Sequence, residues 1–255
     1  VEAAMADRLK GKVALVTGSG RNIGRATILK LASEGANVVV NARSNRDEAE
    51  SVAREAREMG VDALAILADV SDRDQVNSMV KQTIDQFGSL DILISNAAVR
   101  PHKPFLEVTY EDWEQVRGVV LDGAFYCAKA VLPLMVKNQY GRIIFFTGDG
   151  AFQGPAERGH VSAAKMGLVG MARSLASEFA PHNIRVNVVS PGSIDTSREH
   201  PEWYPGGRPP DASRIPLGRQ GKVEEIAATC MFLVSDDGGF ITGQTIHANG
   251  GTAFF

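Results

Sequence analysis

Short runs of nearly unbroken apolar residues alternate along this chain with longer stretches in which apolar residues return every three or four positions. The runs are KVALVTG, NVVVNA, ALAILADV, LDILISNA, GRIIFFTG, IRVNVVSPG and GQTIHANGG, mostly rich in Val and Ile. A strand with one wet face alternates polar and apolar residues. Runs this continuous predict seven strands of a parallel sheet covered on both faces.

Between the runs, IGRATILKLASEG, RDEAESVAREAREMG, DQVNSMVKQTIDQFG, YEDWEQVRGVVLDGAFYCAKAVLPLMV, VSAAKMGLVGMARSLASEFA and KVEEIAATCMFLVSD carry helical spacing. Strand following helix from end to end predicts a single α/β domain of Rossmann type. Its doubly wound parallel sheet would bind ligands beyond the carboxyl ends of the strands. No internal repeat and no second domain are evident over residues 1–255. Residues 1–10 read as a flexible, polar N-terminus. Residues 195–221 are irregular and rich in Pro and Gly, and Trp203 and Tyr204 within them suit a lid over a substrate.

Composition narrows the functional classes. With 27 basic and 30 acidic residues the net charge is −3, which leaves no basic surplus for nucleic acid and no polybasic segment for a membrane surface. No uninterrupted apolar run reaches bilayer length. Cys127 and Cys230 lie in separate apolar helical patterns and read as buried reduced thiols. Together with the lack of a recognisable secretory signal they favour a cytoplasmic protein. The pattern points to a small-molecule substrate and to no metal site.

Chemistry enters at TGSGRNIGRA, Thr17 to Ala26, where the first strand runs into the first helix. Glycines there let the backbone approach a pyrophosphate, and the helix N-terminus offers free N–H groups. From this point the chain resembles the short-chain dehydrogenases/reductases, and the resemblance extends from Lys12 to Gly251. It places a cofactor-binding turn on Thr17, Gly18, Ser19, Arg21, Asn22, Ile23 and Gly24, with Asn22 where the family has its middle glycine. Asn tolerates positive φ best after Gly, so the turn survives. Further matches are Asp69 and Val70 beside the adenine, Asn96 and Ala97 after strand four, and Pro191, Gly192, Ile194 and Thr196 near the nicotinamide.

The end of strand two selects the cofactor. An acidic residue there would hold the ribose 2′-OH of NAD. The chain instead has Ala42 followed by Arg43 and Ser44, with Arg21 in the glycine turn. Two guanidiniums suit a 2′-phosphate, so NADP(H) is favoured over NAD(H).

At the catalytic end the resemblance implies a tyrosine acid/base, a lysine four residues later, a serine on the substrate oxygen and a helix asparagine. Only Lys165 is in place, and it also serves the nicotinamide ribose in that family. Val161 stands at the tyrosine position, Gly148 at the serine and Val120 at the asparagine. The replacements to be weighed are Asp149 and His160, with Tyr204 on the lid. Asp149 reads equally as a turn residue between glycines, and His160 as a helix-start residue facing solvent or a second subunit. Arg100, His102 and Lys103 follow strand four, where they would attract an anionic substrate or form a solvated loop.

Three functions stay open on these grounds. The first is an NADP(H)-dependent oxidoreductase acting on a carbonyl or alcohol through an atypical acid/base arrangement. The second is a non-redox lyase, isomerase, hydrolase or dehalogenase on the same fold, and the third a non-catalytic nucleotide binder. The resemblance also implies a homodimer or homotetramer built on the two long helices that begin at Tyr110 and Val161.

Overall fold

The computed structural model describes residues 7–196 and 212–255. All seven expected strands form: β1 Val13–Val16, β2 Asn37–Ala42, β3 Ala63–Leu67, β4 Ile92–Ser95, β5 Gly141–Phe146, β6 Ile184–Pro191 and β7 Thr245–Ala248. They pair in parallel throughout, in the order β3-β2-β1-β4-β5-β6-β7. The chain winds outward from β1 to β3, then returns to place β4 beside β1. That reversal opens a crevice between the ends of β1 and β4, where ligands bind in sheets of this kind.

Alternate residues of each strand enter opposite layers. Val13 and Leu15 join a core under α3 (Arg73–Phe87), α4 (Tyr110–Arg117), α5 (Gly123–Asn138) and α7 (Gly159–Phe179). Ala14 and Val16 join a second core under α1 (Asn22–Ala32), α2 (Arg46–Glu58) and α8 (Val223–Val234). Cys127 packs in the first core and Cys230 in the second, both as free thiols. Burial raises each of them to about 12.

The helix ends follow local chemistry. Asp72 caps α3 by accepting the N–H groups of Asp74 and Gln75, and Gly88 ends it at φ 74°. Thr109 and Asp112 cap α4 reciprocally. One expected helix is interrupted. Between α4 and α5 the residues Gly118–Asp122 form a π turn rather than continuing the α-helical pattern.

The unit Tyr110–Asn138 is long and apolar enough, by length and composition alone, to cross a bilayer. This qualifies the expectation, which held only of uninterrupted apolar runs, since Asp122 and Lys129 fall within this unit. Its Val116, Val120, Cys127, Val131 and Met135 are buried in the core, as in a central helix of a globular domain.

The N-terminal segment is also corrected in part. Arg8 bonds the Glu34 carboxylate at 2.6 and 2.9 Å, and Leu9 is buried against the second core. Residues 7–10 are therefore anchored, whereas 1–6 lie outside the described residues. Of the expected lid, 197–211 with Trp203 and Tyr204 also lies outside them. Its flanks are ordered: Asp195 N–H donates to the Gly221 carbonyl at 2.8 Å, Ile194 bridges Gly221, and Ala212–Arg214 forms a 3₁₀ turn followed by buried Ile215.

Candidate active site

The crevice begins with the glycine turn. Gly18 adopts φ +62° and Asn22 φ +52°, so Asn22 takes the left-handed conformation expected of it. A Cβ on Gly24 would collide with the Gly18 carbonyl oxygen and lie 2.7 Å from Asn96 Nδ2, so only glycine fits. No acidic side chain stands in the first turn of α1, and no side chain caps its N-terminus. The turn is favourable to an anion.

Neighbouring strands hold the turn in shape. Thr17 is fully buried, and its Oγ1 accepts the N–H groups of Asn96 and Ala97 at 3.0 and 3.1 Å. Asn96 Nδ2 in turn donates to the carbonyls of Thr17 and Gly18 at 2.9 and 3.0 Å. Ser19 Oγ donates to the Val16 carbonyl at 2.7 Å and accepts the Asn41 N–H at 3.1 Å. Asn41 was not anticipated as a site residue. Its Oδ1 accepts the Gly18 N–H at 3.1 Å, and its Nδ2 donates to the Ala68 carbonyl at 3.1 Å, so it ties the turn to β2 and β3. The signal in the sequence was an amide directly after the three valines of the run NVVVNA.

The other cofactor candidates divide by place. Arg21, Arg43 and Ser44 are exposed, the first at the entry to α1 and the others just beyond β2. Asp69 accepts the N–H and hydroxyl of Ser71 at 2.9 and 2.6 Å and fixes the turn after β3. Val70 is buried, and a Cβ on Gly123 would meet its Cγ2 at 3.0 Å. Pro191, Gly192, Ile194 and Thr196 line a cleft of about 570 Å³, as do Ile23, Asn96 and Lys165.

Lys165 sits on the inner wall of that cleft and is only 7% exposed. Its Nζ donates to the Phe146 carbonyl at the end of β5, at 2.6 Å. Burial, reinforced by the charges of Arg100 and Arg158, lowers its pKa to about 7. One helical turn earlier, Val161 presents a buried apolar side chain to the same cleft. Gly148 lies opposite with its backbone extended, and a Cβ there would meet nothing closer than the Pro191 carbonyl at 3.7 Å. Val120 is 2% exposed and lies inside the π turn.

Among the acid/base candidates, Asp149 lines the cleft and opens α6 (Asp149–Gln153), a short helix where a turn was the competing reading. Burial raises its pKa, opposed by the Gly150 N–H and by His247. His160 lies inside α7 and is 1% exposed, so it does not face solvent. Among the described residues it is absent from the cleft lining, and neither ring nitrogen has a hydrogen-bond partner. Burial lowers its pKa. Of the three basic residues after β4, Arg100 reaches the cleft, Lys103 pairs with Asp112 at 2.5 Å, and His102 Nε2 lies 2.6 Å from Arg158 Nη1. No group of His, Cys, Asp and Glu able to hold a metal occurs among the described residues.

Comparison with known proteins identifies the family. The family model described as enoyl-(acyl carrier protein) reductase matches residues 18–253. A 3-oxoacyl-[acyl-carrier-protein] reductase, FabG, of Staphylococcus aureus is 40% identical over 247 residues, covering 94% of this chain and 97% of the relative. The 3-oxoacyl-[acyl-carrier-protein] reductase of a Synechocystis strain is 39% identical over 248 residues, covering 97% and 99%. A crystal structure of a protein assigned as a short-chain alcohol dehydrogenase from Sinorhizobium meliloti superposes with a TM-score of 0.91 at 33% identity, covering 98% of both chains. With the parallel seven-stranded sheet and the glycine turn at its switch point, these matches place the chain in the short-chain dehydrogenase/reductase family of oxidoreductases.

Proposed function

We propose that this protein is an NADP(H)-dependent oxidoreductase for a small carbonyl or alcohol substrate, in which Lys165 takes the proton role that a tyrosine has elsewhere in the family. The observation that carries the reading is a shared cleft: Ile23 and Asn96, from the glycine-turn side, line the same space as Lys165. The named activity of the bacterial relatives, reduction of a 3-oxoacyl group, is a ketone reduction of this kind.

The residues present fit a dinucleotide. Gly24 leaves room that any Cβ would fill, Gly18 and Asn22 supply the left-handed turn, and the N-terminus of α1 carries no acid. Arg21, Arg43 and Ser44 would meet a 2′-phosphate, while Asn96, Pro191, Gly192, Ile194 and Thr196 would border the nicotinamide end. When bound, the cofactor supplies or accepts the hydride. The chain must then orient the carbonyl, exclude water and manage one proton.

The family resemblance of the sequence implies that Val161, Gly148 and Val120 stand at the tyrosine, serine and asparagine positions. Without the tyrosine and serine hydroxyls, Lys165 is the titratable group best suited to the proton. It lines the cleft, its Nζ is held by the Phe146 carbonyl, and its pKa lies near neutrality, where a general acid works best. In the direction of reduction its ammonium gives a proton to the developing alkoxide, and in oxidation its amine accepts one. Asp149, half-buried on the same lining, favours a second reading, a non-redox reaction with this carboxylate as base.

The buried free thiols suit a reducing cytoplasm. Exposed Tyr110, Trp113, Phe125 and Met166 on α4, α5 and α7 support a homodimer or homotetramer formed through those helices. The direct test is a fluorescence titration with NADPH and with NADH, followed by a ketone and alcohol screen. Tighter binding of NADPH with turnover of a carbonyl compound is expected. Failure to bind either dinucleotide would sink this reading and leave the Asp149 alternative.

A further inference from the structure

We propose that the proton spent by Lys165 is replaced from solvent through His247, along a row of buried polar side chains, Ser190 and Thr147, that crosses the carboxyl ends of β7, β6 and β5. The inference rests on the preceding reading for the need, and on the sheet itself for the route.

The row follows from strand register. Phe146 pairs with Val189, and the Thr147 N–H donates to the Val189 carbonyl at 3.0 Å, so the next step sets Thr147 beside Ser190. Ser190 in turn pairs with His247. Register partners project to one face of a sheet, from strands about 4.8 Å apart. That face is the α7 side, because Phe145 and Val188, two residues before Thr147 and Ser190, belong to the core under α7. Ile246 and Ala248 pack against the other core, so His247 projects to the α7 side as well. Its ring meets the edge of Phe152, on α6, at a centroid distance of 4.8 Å.

The row is polar where the strands below it are apolar. Thr147 Oγ1, Ser190 Oγ and His247 Nδ1 are each buried, and none makes a hydrogen bond among the described residues. Buried polar groups of this kind are satisfied by ordered water, which needs two to four polar partners. Each gap in the row offers a water two of them. A hydroxyl both donates and accepts, so it passes a proton on without holding a charge.

Both ends are suitably placed. Thr147 lines the cleft with Lys165, whose Nζ is held by the carbonyl of the preceding residue, Phe146. His247 is half-buried, and Asp149, the charged group facing it from α6, favours its imidazolium against the effect of burial. After a reduction, the Lys165 amine takes a proton from Thr147. Ser190 replaces that proton, and the Nδ1–H of the His247 imidazolium replaces the one lost by Ser190, each through the intervening water. One proton moves in total. Exchange with solvent at Nε2, with rotation of the hydroxyls and the ring, resets the row.

The connection is tested without substrate, by NMR titration of the His247 ring nitrogens in the histidine-labelled full chain, assigned with His247→Gln. Ser190→Ala should shift the His247 pKa and its tautomer balance. Thr147→Val should do so too, from two strands and about 10 Å away. No change in either variant overturns the route. Reduction of ethyl acetoacetate by NADPH then tests the flow of protons. His247→Gln should lower kcat at least about tenfold, within the range for assisted proton transfer, with KM unchanged. Imidazole added to the buffer should restore kcat. Ser190→Ala should also lower kcat, while leaving the ring packed on Phe152. Full kcat in His247→Gln, or a loss that imidazole does not restore, overturns the proposal. Coupled titration in a protein that reduces no ketone would uphold the route while removing the oxidoreductase reading.

Discussion

The side-chain oxygen of Asn41 receives the backbone N–H of Gly18 at 3.1 Å, so the end of the second strand fixes the opening of the glycine turn. The same amide group spans to the Ala68 carbonyl beyond β3. Replacing it removes a partner from buried backbone groups on both sides. Asn41→Ala should cost about 1–3 kcal/mol of stability, the usual penalty for stranded buried polar groups. Denaturant titration measures that loss. Dinucleotide affinity should fall with it, and unchanged affinity would show that the turn keeps its shape unaided.

Lys165 offers a test that separates stability from catalysis. Its pKa is lowered from 10.5 to about 7, so between these values the unfolded chain binds a proton that the native chain does not. Stability from this group therefore rises with pH across that window and is lowest below its start. Lys165→Met should be more stable than the parent in mild acid, with the gap closing toward alkaline pH, as followed by thermal melts. In the parent, reduction should decline above about pH 7 and oxidation below it. Lys165→Met should lose about 10²–10⁴ in kcat, the scale of a lost general acid.

Restoring hydroxyls is a third test. Gly148 has room for a Cβ, its nearest neighbour being the Pro191 carbonyl at 3.7 Å, and Val161 borders the cleft one turn before Lys165. Gly148→Ser with Val161→Tyr should raise turnover of uncharged ketones by at least about tenfold, within the range that general acids contribute. Steady-state assays with a neutral ketone decide it. A silent double variant that still binds cofactor would mean that the substrate side of the cleft excludes such ketones.

Cofactor choice turns on exposed residues. Arg21→Ala with Arg43→Ala should weaken NADPH about 10- to 100-fold and leave NADH nearly unchanged, because charge-assisted bonds to a phosphate are lost. Parallel titrations provide the comparison, and equal losses for both dinucleotides would remove these residues from phosphate recognition.

The seven strands and the helices between them were legible because short continuous apolar runs, alternating with longer helical patterns, suit strands covered on both faces. Asn22 was legible too, through its tolerance of positive φ. Other features had weaker signals. The π turn at Gly118–Asp122 preserves the apolar spacing around it, and only the bracketing Gly118 and Gly123 hinted at a break. Helix α6 is five residues long and flanked by glycines, too short for periodicity to register. Leu9 is one apolar residue in a polar segment, and its burial depends on contacts distant in sequence. His160 was placed beside the chemistry by its neighbour Val161. On a helix, adjacent residues point about 100° apart, which turns the imidazole away from the cleft lining.

The two cysteines divide the molecule in a useful way, since one lies in each core and neither is accessible to a reagent in the native fold. Consumption of a thiol reagent by Cys127 then counts openings of the layer built by α3, α5 and α7, and consumption by Cys230 counts those of the layer built by α1 and α8. Equal rates would mean that the sheet yields as a single cooperative unit. A faster Cys127 would mean that the wall carrying Lys165 breathes on its own, giving the protein two clocks instead of one.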